Sequence, residues 1–432
     1  MKRFRRAVAV LGATGAAAAG MVGLGQPARA AHVSCGATIT QSVTLDSNLL
    51  NCPGDGLRIT GSNIVVDLGG RTISGRTDTN TSPNEFVGVR LMNVTGVTVR
   101  NGTVTNFDAG VTIGRGGGNT ITGLRVHGNI NHSTLTGVRT PCDFGDGIVT
   151  FSSDNNVIRN NRAFHNGPYS GISLVEDSDG NRVTGNVTTL QDVDNAHPNF
   201  VTETRPAGNG PCGPFIPGVG DVGAPRQGIG IRVEGPGADN NRVEGNQVAD
   251  NDVYGITIHG YVCNPIAPQQ PRGVNNGGNV VARNNVTRNG FQGLPPASPP
   301  NQGFGIAQVV QGPADVVCVA HSNSILQNTV VGNAGHGIFQ GGRGSSNNRI
   351  NGNIVRNNGL DGIRVDGPGG PTSRCGEVLV QPCPGAVNNE LRGNIGFGNA
   401  EHDADDRNPN CDNNAWRNNS FGSVFRGCER NG

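Results

Sequence analysis

Lysine occurs once in this 432-residue sequence, at position 2, and aromatic residues make up only 4%, with one tryptophan and three tyrosines. Helical periodicity is missing throughout, and past the first two dozen residues no apolar run is long enough to span a bilayer. No Cys-x-x-Cys occurs, and no Cys/His cluster has zinc spacing. A helical enzyme, a membrane bundle and a structural zinc module are therefore not expected. Any cationic contact or base in the body of the chain has to come from arginine or histidine.

The first thirty residues read as an export signal. Lys2, Arg3, Arg5 and Arg6 precede an Ala/Val/Leu/Gly run to Leu24, and Ala28-Arg29-Ala30 is a small-x-small cleavage site. Removing them takes away five positive charges and moves the formal charge from +1 to −4. A global basic field for nucleic acid is thus absent, and no membrane partner is expected once the leader is gone. All ten cysteines lie in the exported part, where an even count argues for disulfides. Seventy glycines and many asparagines suit a repeat solenoid, whose corners need residues that tolerate positive φ.

The repeat is visible as Asn-x-(Val/Ile/Leu)-x-x-Asn with a further Asn five residues on. It occurs at Asn156/Asn161/Asn166, Asn241/Asn246/Asn251, Asn323/Asn328/Asn333, Asn348/Asn353/Asn358 and Asn389/Asn394/Asn399, with variants from Asn119, Asn181, Asn279 and Asn414. A Gly-Ile step precedes most of these, at Ile148, Ile172, Ile231, Ile256, Ile306, Ile338 and Ile363. Asn156 to Asn181, Asn323 to Asn348 and Asn389 to Asn414 are each 25 residues apart, the length of one solenoid turn. Stacked turns place equivalent residues in files about 4.8 Å apart, so roughly a dozen coils would span on the order of 55 Å. The expected fold is all-β, a single-stranded right-handed parallel β-helix: signal peptide 1–30, N-terminal cap 31–56, helix 57–399, closing turn and cap 400–432. The asparagines are assigned to structure, hydrogen-bonding along their files.

Spacings longer than 25 locate insertions beside the Gly-Ile strand, some before it (130–146, 191–227, 290–303) and some after it (260–278, 311–322, 367–388). Loops on both sides would wall a groove whose floor is the outward face of that strand column. Their placement suggests pairing Cys142 with Cys212, Cys263 with Cys318 and Cys375 with Cys383. Cys35 with Cys52 and Cys411 with Cys428 would staple the two ends, although sequence alone leaves the connectivity open.

Alternation points Ile231 and Val233 inward, so Arg232 and Glu234 face the groove. Thr257 and His259 face it from the next coil, which puts His259 beside Glu234. Arg364 and Asp366 repeat the arginine/acid pair farther along. Arginine, carboxylate and histidine together suit lyase or hydrolase action on a polysaccharide: arginine neutralises a uronate, a base takes the α-proton, or paired acids assist glycosidic cleavage. Arg232, Glu234 and His259 are thus candidate catalytic residues, and Arg364, Asp366, Thr257 and Phe339 candidate substrate contacts. The competing reading is a solvated ion pair on any solenoid face. Val149, Phe151, Val175, Val309 and Phe339 form an apolar outward strip, better suited to packing beneath loops than to stacking on sugars. Inward-pointing Gln308 and Gln340 interrupt the aliphatic file.

Glu176-Asp177-Ser178-Asp179-Gly180 resembles a calcium loop but is better read as a turn. Asp192, Asp194 and His197 are a weak cation signal, and Glu401, His402, Asp403, Asp405 and Asp406 read as a solvated cap, with metal binding the lesser alternative. No metal or other cofactor is expected, calcium staying an open candidate that no motif supports, and the chain reads as a monomer.

The start Cys35-Gly36, the segment Ile64-Val65-Val66-Asp67-Leu68-Gly69-Gly70-Arg71-Thr72-Ile73-Ser74-Gly75, the Asn-x-Ile-x-x-Asn coils and the ending Asn408-Pro409-Asn410-Cys411-Asp412-Asn413-Asn414-Ala415-Trp416 with Phe421-Gly422 and Cys428 carry a family likeness. Over nearly the whole exported chain the sequence resembles the secreted right-handed parallel β-helix repeat proteins of the pectate-lyase-like superfamily. That resemblance implies the fold and an extracellular setting. It implies no single activity, because the group holds lyases, hydrolases, epimerases and adhesins. The Asn-Thr-Asp, Asp-Asp and His-Gly set of polygalacturonases and the Asp-Pro-His-Asp motif of alginate epimerases are not laid out here, and the lysine of some lyases has no counterpart. Three functional expectations follow: a secreted carbohydrate-active protein that binds an extracellular polysaccharide, with its cleavage left open; a non-catalytic surface or matrix protein; or a polysaccharide-binding module with no turnover.

Overall fold

A computed structural model of the chain describes residues 29–76, 86–129, 145–167, 169–191, 208–210, 213–216, 220–221, 228–235, 237–260, 276–290, 303–310, 320–341, 345–367, 386–411, 413–426 and 429. The insertions inferred from spacing fall almost wholly outside these residues, as do Asp192, Asp194, His197, Cys142, Cys212, Cys263, Cys318, Cys375, Cys383 and Cys428.

Short parallel strands wind into a right-handed parallel β-helix. One sheet holds twelve strands, from Ala37–Ile39 through Ile148–Phe151, Ser170–Val175, Ile229–Glu234, Tyr254–Gly260, Ile306–Val310, Ile338–Gly341 and Ile363–Val365 to Ala404–Asp406. This Gly-Ile sheet has one strand per coil, so the described residues wind through about the dozen coils expected. Two further ladders run the length of the stack and merge where Thr98–Thr105 and Thr120–His127 pass through both. Ile148, Ile172, Ile231, Ile256, Ile306, Ile338 and Ile363 are successive register partners in one file, and each is buried.

The glycine before each of these isoleucines answers to close packing. A Cβ on Gly255 would lie 2.5 Å from both the Gly305 carbonyl oxygen and Val286 Cγ1, inside van der Waals contact. Any side chain there would push adjacent coils apart.

Asparagines form three files five residues apart. One runs Asn119, Asn156, Asn181, Asn241, Asn279, Asn323, Asn348, Asn389, Asn414, and a second Asn161, Asn186, Asn246, Asn284, Asn328, Asn353, Asn394, Asn419. A third begins at Asn129 and Asn166, passes through Gln191, and continues Asn251, Asn289, Asn333, Asn358, Asn399. In the second file, Asn284 Oδ1 accepts the Asn246 backbone N–H at 2.9 Å and the Asn246 side-chain amide at 3.0 Å. Asn284 Nδ2 then donates to Asn328 Oδ1 at 3.0 Å and to the Val243 carbonyl at 2.9 Å. Corner backbone groups that no strand reaches are thus satisfied side by side. The residue before the first file turns the chain at positive φ, as Asn155 does at 56° and Asn240 at 57°.

Two boundaries differ from the sequence reading. The segment expected as a separate cap, 31–56, contains the first coil, because Ala37–Ile39 pairs with Leu57–Ile59 and Val43–Leu45 with the strand Val65–Asp67. The coil also continues past 399: Ala404–Asp406, Ala415–Arg417 and Ser420–Phe421 all pair onto preceding strands. Nor is the acidic tail a solvated cap. Asp403, Asp405 and Asp406 are buried, since carboxylates take over at the end of the stack the accepting role that asparagine has within it. Asp403 accepts from Asn399 Nδ2 at 2.7 Å, and Asp406 accepts from Asn408, Asn414 and Trp416 Nε1.

Cys35 and Cys52 are disulfide-linked, with Cα atoms 5.3 Å apart, and Cys411 is also disulfide-bonded. Gln308 and Gln340 do point inward as register partners. Gln308 Nε2 donates to the Ala320 carbonyl, while Gln340 Oε1 accepts from Asn348 of the first file at 3.4 Å. Both therefore tie the sheet to the neighbouring corner. Among the described residues no helix is long and apolar enough to cross a membrane.

Candidate functional site

The outward face of the Gly-Ile sheet carries three files of side chains. One, two residues before each isoleucine, includes Asp146, Ser170, Tyr254, Phe304, His336 and Asp361. A second, one residue after it, runs Val149, Ser173, Arg232, Thr257, Ala307, Phe339, Arg364, Asp405. The third contains Phe151, Val175, Glu234 and His259.

Arg232, Glu234 and His259 meet as expected. Arg232 Nη1 donates to Glu234 Oε2 at 2.9 Å, and His259 Nδ1 lies 3.6 Å from the same oxygen, longer than a hydrogen bond but close enough for strong Coulomb attraction. The groove floor they were assigned to is closed, however: Arg232 is 5% exposed, His259 9%, and Thr257 and Phe339 are also buried. Thr257 sits beside Arg232 in register, and Phe339 stacks on Phe304 with centroids 4.6 Å apart. The packing reading of the apolar strip thus holds at Val149 and Phe339.

Asp146, Ser173 and Tyr169 complete this centre, and the sequence reading did not include them. Arg232 Nε donates to Ser173 Oγ at 3.3 Å, and Ser173 Oγ donates to Asp146 Oδ1. Arg232 Nη2 lies 3.6 Å from Asp146 Oδ2, and its guanidinium carbon stands 4.6 Å from the Tyr169 ring centroid. The two carboxyls are driven in opposite directions. Burial raises the Asp146 pKa above the ordinary carboxylate value, and Arg232 and Ser173 offset this only in part. Burial works against the Glu234 charge as well, but Arg232 and then His259 outweigh it and hold the pKa at about 2.

Four coils on, roughly 19 Å at the strand spacing, a second centre surrounds Arg364. Arg364 Nε donates to Asp366 Oδ1 at 3.1 Å, and Nη1 donates to Asp405 Oδ2 at 2.7 Å and to Asp361 Oδ2 at 3.3 Å. Arg407 Nε also donates to Asp405 Oδ2 at 2.7 Å. Arg364 and Asp366 are therefore together, as the sequence implied. Asp361, Glu401 and His402 bring ligand-type atoms within 4.8 Å of one another. His402 Nδ1 is only 3.1 Å from Asp361 Oδ1, so the arrangement is already closed by its own contacts.

A sequence signal for both additional acids exists. Asp361-Gly362-Ile363-Arg364 and Asp146-Gly147-Ile148 share Asp-Gly-Ile, and Asp55-Gly56-Leu57-Arg58 repeats it near the start, where Asp55 pairs with Arg58 and Arg90. Each such acid stands two residues before an inward aliphatic and reaches an arginine of its own coil, of the next coil or, for Asp146, of the second coil on.

Between the two centres lies an aromatic patch of Tyr254, Phe304, His336 and Phe339. His336 Nδ1 accepts the Asp361 backbone N–H at 3.1 Å. Burial, with Arg364 and Arg407 adding repulsion, pulls the His336 pKa down to about 3. Asp361 is pushed up to about 6, chiefly by burial and then by Asp405. The two shifts act oppositely on stability. Unfolding lets His336 take up a proton below about pH 6.5, so its contribution to the folded state is lost as pH falls toward 3. Folded Asp361 takes up a proton near 6 that the unfolded chain takes up only near 4, so its contribution grows as pH falls through that interval. His336→Phe should remove the first effect and keep the second. The stability of the parent relative to this variant is expected to fall by about 1.4 kcal/mol per pH unit between pH 6 and 4. Urea unfolding across that range reads it, and parallel profiles for the two proteins would contradict it.

A family model described as a right-handed β-helix region matches residues 34–205. No curated protein matches the chain in sequence. Among solved structures, a mutant periplasmic alginate epimerase shares 14% identity over 89% of this chain and 72% of that one, with a TM-score of 0.42. For a pectate lyase the values are 12%, 91%, 79% and 0.45. For the catalytic domain of an α-1,3-glucanase in complex with nigerose they are 17%, 92%, 63% and 0.42, so the chain spans less than two thirds of that domain. At such identities nothing about activity passes from these proteins to this one. The ladders make the chain a right-handed parallel β-helix, and the matched family model describes the same fold over residues 34–205.

Proposed function

We propose that this is an exported carbohydrate-active protein whose Gly-Ile sheet binds a polysaccharide and cleaves it at the Asp146–Arg232–Glu234–His259 centre. Export accords with the leader-like first thirty residues and with the Cys35–Cys52 disulfide. The observation that carries the catalytic reading is the divergence of two carboxyls that share Arg232: Asp146 is biased toward its protonated form and Glu234 toward its anion. Carboxyls separated in this way can divide acid and base roles at one pH. Asp146 would then supply a proton to the leaving oxygen of a glycosidic bond while a water molecule adds to the anomeric carbon and passes its proton to His259. Glu234 would remain ionised and fix His259 and Arg232 in place. Arg232 is already engaged by Glu234, Asp146 and Ser173, so it serves here as an internal positioning charge and not as a clamp for a uronate. Burial of Asp146 and Arg232 requires the floor to open before a sugar reaches them.

The same saturation of Arg232 favours a second reading, a non-catalytic surface or matrix protein in which this network only fixes the outer face of the sheet. Incubation of the purified chain with neutral and uronate polysaccharides separates the two. New reducing ends should appear and should fall about 100-fold or more in Asp146→Asn. Absence of new reducing ends and of unsaturated ends on every polymer would leave the second reading standing, and full activity in Asp146→Asn would remove the assigned acid.

A further inference from the structure

Away from the Gly-Ile sheet, three successive coils expose arginines with no carboxylate beside them. Arg125, Arg159, Arg162 and Arg182 are all exposed and make no ion pair among the described residues. The segments that carry them (120–127, 157–164 and 182–189) and the preceding strand Thr98–Thr105 contain no aspartate or glutamate; the following strand Arg242–Glu244 sets Glu244 beside Thr184, where Arg242 and Arg283 already engage it. Farther along the same two ladders the pattern differs. Arg242 and Arg283 share Glu244, Arg288 pairs with Asp250, and Arg349 faces Glu390.

Register brings the unpaired arginines close. Arg125 and Arg162 are direct partners on adjacent strands, one step of about 4.8 Å apart. Arg159 lies three residues before Arg162, across the corner at Asn160, and Arg182, on the following coil, is the register partner of Val157 on one side and of Arg242 on the other. Like charges at one strand step repel, and cross-strand placement normally avoids that. Here Phe164 supports the pair: the guanidinium carbons of Arg125 and Arg162 stand 5.3 and 5.1 Å from its ring centroid, and His127 stacks on the ring at 4.6 Å. The ring quadrupole offsets part of the repulsion and holds both guanidinium groups at the surface.

We propose that this arginine face is a second carbohydrate site, distinct from the Gly-Ile floor, that binds a polyanionic polysaccharide through its carboxylate or sulfate groups. Guanidinium forks match planar and tetrahedral oxyanions, and the Arg125–Arg162 pair at one strand step, flanked by Arg159 and Arg182, offers several such forks to the anionic groups of one polymer. The intervening threonines offer hydroxyls to sugar oxygens. Phe164 is already engaged by His127 and two guanidinium groups, so it props the arginines and gives no stacking platform of the kind single-stranded nucleic acid uses. Among the described residues of these coils Leu190 is the single large apolar side chain that is exposed, and one is too few to anchor a surface in lipid.

The test uses the whole exported chain and five probes: polygalacturonate, dextran sulfate, neutral dextran, single-stranded DNA and vesicles containing an anionic phospholipid. At least one of the two anionic polysaccharides should bind, with affinity falling as salt rises, and neutral dextran should not. Arg125→Ala with Arg162→Ala should weaken that binding roughly tenfold or more while thermal unfolding stays unchanged. Should that pair disturb the Phe164 stack, Arg159→Glu with Arg182→Glu, which leaves the ring untouched, should abolish binding. Arg283→Ala should bind as the parent does. Release of reducing ends by the Arg125→Ala, Arg162→Ala protein is measured beside its binding, so failure of the floor assignment is read separately from failure of this one. Unchanged affinity in the two double variants would overturn the proposal, as would tighter binding of DNA or vesicles than of either polysaccharide.

Discussion

Arg232→Met is expected to lower the unfolding free energy by about 3–5 kcal/mol at neutral pH, because two carboxyls then remain buried without their shared cation. The magnitude follows from geometry. Asp146 and Arg232 are almost fully buried and Glu234 nearly so, which leaves water little part in compensating for the lost charge. The sign of the pH dependence follows too. In the parent, Glu234 titrates at about 2 against about 4.5 when unfolded, so its contribution is full above pH 4.5 and is lost as pH falls toward 2. Without Arg232 that depression disappears and the carboxyls accept protons at higher pH. The difference between variant and parent should therefore shrink on acidification. Adding Asp146→Asn and Glu234→Gln to Arg232→Met should recover much of the loss, since neutral amides need no counterion. Denaturant titrations at pH 7 and pH 4 on the three proteins measure this. A loss below about 1 kcal/mol at pH 7 would mean that Arg232 does not hold these charges in the folded state.

Asn284→Ala should cost a comparable amount, about 3–5 kcal/mol, although the residue carries no charge and touches no proposed ligand. The change removes the acceptor for the Asn246 backbone N–H and side-chain amide, and the donor to the Val243 carbonyl. Each of these buried groups costs about 1–3 kcal/mol when left unpaired, and water has no route to replace the partner. A substitution at Arg283, one residue earlier but exposed at the corner, should change stability by less than about 1 kcal/mol despite its salt bridge to Glu244. Thermal unfolding of the two variants side by side gives the comparison. Similar melting temperatures would show that the asparagine files are dispensable.

Periodic features were readable directly. The 25-residue spacing became hydrogen bonds between Asn156 and Asn181, Asn323 and Asn348, and Asn389 and Asn414. Alternation alone put Glu234 beside His259, because a residue's side in a strand depends only on parity and its neighbour only on coil stacking. Asp146 escaped because it precedes its strand, where the chain bends at Gly147 and simple alternation no longer gives the direction of a side chain. The buried role of Asp405 escaped for a different reason. An acidic run near a chain end reads as solvated, and only its placement beneath Arg364 and Arg407 makes it interior.

The sequence by itself determined the winding, the three asparagine files, the inward isoleucines and the pairing of Arg232 with Glu234, since each follows from a short-range period repeated coil after coil. Tertiary structure alone decided that the floor is closed, that Asp146 and Ser173 join Arg232 across 59 residues or more, and that Phe164 gathers Arg125 and Arg162. Insertions of unequal length separate these partners, so no period links their positions. Their burial and charge depend on what packs over them, which strand parity does not specify.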